Sequence, residues 1–162
     1  MGNYKHFESE FVKRTLHLIG QYETSLYKYD FENQYNLTLL TNCLLGLIVM
    51  PKEKALSFLP NERLTSKIKQ EMGIFHSSFN PDIKELRNLI IALRHSIAHS
   101  NMRFISKDEK FLIDEIEFRD REKGDDYIIA SFIPSELLSF IRYYGDWFIN
   151  NIKHHDPKQF EV

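Results

Sequence analysis

Arg94, His95 and His99 lie within one short run, Leu93-Arg94-His95-Ser96-Ile97-Ala98-His99. A guanidinium that stays charged at any physiological pH can hold a phosphate through paired N–H donors. Imidazoles exchange protons near neutral pH, which suits general acid and base work. Together these groups fit transesterification of RNA: the 2′-OH must lose a proton, the phosphate must pass through a more charged arrangement, and the leaving 5′-oxygen must gain a proton. His99 is the candidate base or acid and Arg94 the phosphate clamp, while His95 would orient His99 or the substrate. DNA lacks the 2′-OH, so this chemistry would spare it.

The element that must position these groups runs from Asn80 to Asn101. Asn80 is a candidate N-cap, Pro81 suits a first helical position, and Asp82 suits the positive end of a helix dipole. Ile83, Leu86, Ile90, Leu93 and Ile97 recur at spacings of three and four, so one face is committed to a core. The other face carries Arg87, Arg94 and His95, and the helix is expected to fray around His99 to Asn101. A structural reading also exists, because cations in a last turn satisfy carbonyls and complement the dipole. Arg94 and His99 are five residues apart, about 140° around an ideal helix. They share a site only if the turn from Ser96 to Ser100 departs from α geometry, or if a two-fold dimer brings two copies of the motif together.

The run from Arg94 to His99 resembles the signature of the HEPN superfamily, in which an Arg, a polar residue and, a few residues later, a His close a helix of an all-helical bundle. Arg94 and His99 match the paired positions and His95 the polar one. The opening Gly2-Asn3-Tyr4-Lys5-His6-Phe7, the run from Asn42 to Lys54 and a late β-hairpin extend the resemblance to a small plasmid- and defence-associated group of HEPN nucleases, over nearly the whole chain. The resemblance implies an all-α fold, an antiparallel helical bundle with a β-hairpin inserted before the last helix. It further implies a homodimeric endoribonuclease with a composite site at the dimer interface, needing no metal or cofactor, in a toxin or phage-defence role with a possible antitoxin or regulatory partner. Some toxins of this kind are controlled by modification of a Tyr two residues after the His. Here that position is Asn101, which with Arg87 is a candidate substrate contact instead. The alternative is a non-enzymatic dimeric module that binds RNA or a partner protein.

Composition is consistent with either outcome. With 162 residues, 43% hydrophobic and 27% charged, the chain can bury a core as a single domain over 1–162 without disulfides or metals. Its net charge of −2 argues against a broad duplex-coating surface and for local RNA binding in a cleft. Cys43 is the only cysteine and sits among apolar residues, so a reducing compartment is expected. No export signal or membrane span is legible, and a cytoplasmic location follows as the expectation.

Helices are expected over about 7–29, 33–50, 81–99 and 134–153, with the hairpin over about 111–133. The second is apolar on almost every side in its later half, compatible with burial against a second subunit. Pro51 ends it, and a short helical piece near Lys54 to Leu59 follows. Tyr22, Tyr27, Tyr29, Phe31 and Tyr35 are read as core or interface aromatics rather than base-stacking platforms. Arg119 to Asp126 reads as an exposed hairpin loop rather than a metal site. His95 and His99 have the spacing of paired zinc ligands, yet Ser96 stands where metalloprotease helices place Glu, and the sequence offers no obvious third ligand. Phosphate-binding glycine loops and nucleophile-elbow motifs are absent.

Overall fold

A computed structural model describes residues 4–30, 34–49, 61–107 and 113–155. The expected helix near Lys54 to Leu59, its preceding Pro51 and the residues Phe31 to Asn33 and Phe111 lie outside them. The chain forms two compact units, one from Met1–Leu59 with Tyr144–Val162 and one from Pro60–Tyr143.

In the first unit α1 spans Phe7–Ser25 and ends in a 3-10 turn, Leu26–Lys28. Its entry is fixed by Glu10, whose carboxylate accepts the backbone N–H groups of Lys5 and His6 at 3.0 and 3.1 Å, satisfying donors a helix start leaves open. The second helix, α2, covers Asn36–Leu44 and continues as a π-helical turn, Leu45–Val49. Leu44, Leu47 and Ile48 are buried within the chain itself, so the apolar character of this segment does not require a second subunit. Gly46 has a packing reason, since a Cβ there would stand 2.9 Å from the Phe11 ring.

In the second unit a short helix α3, Ser66–Glu71, is capped by Thr65, whose hydroxyl accepts the N–H of Ile68 at 3.3 Å. Strand β1, Ser78–Phe79, precedes α4, Leu86–Ala98, which is followed by β2 (Met102–Ile105), β3 (Glu115–Arg119) and β4 (Ile128–Phe132). The last helix, α5, Pro134–His155, begins in this unit. The strands form one antiparallel sheet in the order β1-β4-β3-β2. Leu86, Leu89, Ile90, Leu93 and Ile97 of α4 are buried, as are Ile116, Phe118, Ile129 and Phe132 of β3 and β4, the strands that α4 contacts.

This sheet corrects the all-α expectation. The protein is mixed α/β, because the hairpin of β3 and β4 is extended on both sides. β2 follows α4 almost at once, and its half-exposed and exposed residues give no alternating signal. β1 is only two residues long and pairs across the chain with Ser131 and Ala130.

Helix α4 also begins later than Pro81. Asn80 is used elsewhere: its backbone N–H and side-chain amide donate to the carbonyls of Ile129 and Ile128 at 2.9 and 2.8 Å, pinning it to β4. Its side-chain oxygen accepts from the N–H of Asp82 at 3.0 Å, closing a local turn instead of capping a helix. The backbone then stays extended through Glu85, with Leu64 donating to Lys84 and Leu86 to Glu62, both at 2.8 Å. Among the described residues no helix is long and apolar enough to cross a membrane.

Candidate active site

Helix α4 keeps α geometry to its end, since the N–H of His99 donates to the carbonyl of His95 at 3.1 Å. Termination falls on Ser100, which takes the left-handed conformation with φ of 54°. Ser100 donates to the carbonyl of Ile97 at 3.1 Å and Asn101 to that of Ser96 at 2.8 Å, the paired reverse bonds of a Schellman ending. Glycine carries no Cβ penalty in that conformation. Ser100→Gly is therefore expected to raise stability by about 0.5–1 kcal/mol, seen as a higher urea midpoint at unchanged slope.

The turn is tied to the sheet through Ser96. Its fully buried hydroxyl donates to the carbonyl of Asn101 at 3.0 Å and accepts the N–H of Arg119 at 3.1 Å. The N–H of Arg119 also donates to the carbonyl of Asn101 at 2.9 Å. Residues 95 and 120, each next to one of these partners, are thereby held close. Asn101 serves this closure through its backbone.

The side chains divide into two groups. His95 and His99, one turn apart, bring their rings together with centroids 4.5 Å apart. His95 Nε2 in turn lies 3.9 Å from Asp120 Oδ1 and 3.8 Å from Glu122 Oε1. His95 is half-buried, Asp120 buried, and Glu122 and His99 exposed. A cavity of about 400 Å³ opens beside this group, lined by His95, Asn88, Ile91, Asp120, Glu122 and Tyr127, among others. Arg94 and Arg87 stand apart from it, half-buried, with no hydrogen-bond or ion-pair partner among the described residues.

These positions decide what each group can do. Two carboxylates beside His95 disfavour an anion there, whereas Arg94 and Arg87 have no ionic partner among the described residues and can attract one. His99 is solvent-accessible and held by its ring contact, as a proton-transfer group requires. The structure brings His95 to His99 but gives no contact between Arg94 and His99, and the unbroken helix keeps the angular gap of about 140°. Asp120 and Glu122 were not legible as partners of His95, because the register of β3 and the turn after it, not sequence spacing, carry them there.

No curated protein and no solved structure matches the chain. The profile described as HEPN pEK499 p136 matches residues 1–155, nearly the whole length and both compact units. The chain thus belongs to a HEPN family, with the nuclease or RNA-related function such domains have in general.

Proposed function

We propose that this protein is a metal-independent endoribonuclease that cleaves RNA by attack of the 2′-OH on the adjacent phosphate. The observation that carries this reading is α4 of a HEPN chain, which presents an accessible His99 at its end and two arginines, Arg94 near the end and Arg87 at the start, that have no partner among the described residues. Arg94 holds the scissile phosphate and stabilises the charge that develops on it, with Arg87 as a further phosphate contact. His99 exchanges the proton of the 2′-OH or of the leaving 5′-oxygen. His95 orients the ring of His99, against which its own ring is packed.

The site is proposed to be composite, formed where two chains meet, since the helix keeps Arg94 and His99 of one chain on different faces. A toxin or defence role, with a partner that restrains the activity, fits this chemistry, because uncontrolled RNA cleavage would harm the cell that makes it.

The test compares wild type and His99→Ala on a mixed RNA pool in EDTA, with product ends identified. Cyclic 2′,3′-phosphate ends from wild type alone are expected. Cleavage by both at equal rates would place the chemistry elsewhere. Absence of cleavage, with RNA retained on the folded protein, would favour a non-enzymatic RNA-binding module.

A further inference from the structure

His95 Nε2, a carboxylate oxygen of Asp120 and one of Glu122 all lie within 4.8 Å of one another. The two gaps from the imidazole, 3.9 and 3.8 Å, are too long for hydrogen bonds. Two donors that each stand about 2.1 Å from one tetrahedral cation are about 3.4 Å apart, so an inward movement of about half an ångström would bring these groups onto a shared ion. The geometry points to a binding site for a divalent transition-metal cation held by His95, Asp120 and Glu122, in which the metal restrains the enzyme.

Several features favour a cation over a mere cluster of charge. The donor set mixes imidazole nitrogen with two carboxylates, which suits Zn²⁺ and its first-row neighbours better than Ca²⁺ or Mg²⁺. Two of the donors are already placed. His95 sits on a helix whose last turn is bonded to the strand end through Ser96 and Arg119. Asp120 is 9% exposed, and its Oδ1 accepts the N–H of Glu122 at 3.1 Å, while Lys123 Nζ stands 4.0 Å from Oδ2. Glu122 is exposed and can move inward to close the set. The cavity beside the three donors leaves room for water to complete the coordination.

A metal here has a consequence for the neighbouring ring. Once Nε2 of His95 is bound, it neither donates nor accepts a proton, and the ring against which His99 packs is locked. Restraint of cleavage by the metal rests on the ribonuclease reading above. The binding site itself does not.

The experiment titrates Zn²⁺ into metal-free protein by calorimetry, with Co²⁺ absorption as a second readout. The chain carries His154→Ala and His155→Ala to remove adjacent histidines near its end. One Zn²⁺ per chain is expected, with affinity about 100-fold weaker in Asp120→Asn and about tenfold weaker in Glu122→Gln. Asn retains the acceptor for Glu122, and Glu122 is exposed, so both variants should fold. Absence of binding, or binding that neither substitution weakens, overturns the site. RNA cleavage by wild type should fall several-fold with one equivalent of Zn²⁺, and cleavage by Asp120→Asn should not. Zn²⁺ bound at this site without change in cleavage overturns the restraint and leaves the site standing. A wild type that never cleaves RNA sinks the ribonuclease reading, while calorimetry still judges the metal site.

Discussion

Arg94→Ala and His99→Ala are each expected to slow RNA cleavage by about 10²–10⁴-fold, the range for losing a charge-stabilising donor or a proton-transfer group. Refolding equal amounts of the two mutant chains together should recover about a quarter of the wild-type rate. The reason is the unbroken helix. With His99 still bonded to His95, Arg94 and His99 of one chain point about 140° apart, so each proposed site takes its arginine from one chain and its histidine from the other. In a mixed dimer one of the two sites loses both groups and the other keeps both. Random pairing makes about half of the dimers mixed, each with half of its sites intact. Single-turnover rates, measured after sedimentation confirms dimers, check the recovery. A mixture no faster than its components would mean that each chain carries its own site.

Glu136→Gln should cost about 2–3 kcal/mol at pH 7, the scale of losing several hydrogen bonds to one charged acceptor. The Glu136 carboxylate, nearly buried, accepts the N–H groups of Phe75, His76 and Ser77 at 3.1, 2.9 and 2.8 Å. It also accepts the Ser77 hydroxyl at 2.6 Å and faces His76 Nδ1 at 3.0 Å. An amide in its place offers one oxygen and turns N–H groups towards donors. Burial pushes the carboxyl's pKa up, but the bonds from Ser77 and His76 outweigh burial and hold it at about 2, below its ordinary 4.5. A folded value below the unfolded one stabilises the protein fully above about pH 5, and the contribution disappears as the pH falls towards 2. The gap between wild type and Glu136→Gln in urea unfolding should therefore narrow from pH 7 to pH 3. A gap that stays constant with pH would show that the charge is not what holds residues 75–77.

The sequence carried part of this arrangement openly and hid the rest for physical reasons. The stripe through Leu86, Ile90, Leu93 and Ile97 marks the buried face of α4 because helical spacing is local. The start of that helix was not legible, since Asn80 serves β4, nearly fifty residues further along the chain. Ile116 to Phe118 and Ile128 to Phe132 announce strands through β-branched and aromatic residues, whereas the outer strands β1 and β2 are defined by their partners more than by their own residues. At the candidate site, Arg94, His95 and His99 declare themselves by type and spacing. Asp120 and Glu122 do not, because the bridge from Ser96 to Arg119 that brings them to His95 exists only in three dimensions.

The division of the chain has a consequence for folding order. The second unit is continuous in sequence, Pro60–Tyr143, whereas the first needs both Met1–Leu59 and residues from Tyr144 onward. Contacts inside the unit that carries Arg94 and His99 close loops shorter than that unit, while its companion must draw together two segments with the whole of that unit between them, at a larger entropic cost. Non-local closure of this kind is slow, so the unit with the candidate site is expected to form first.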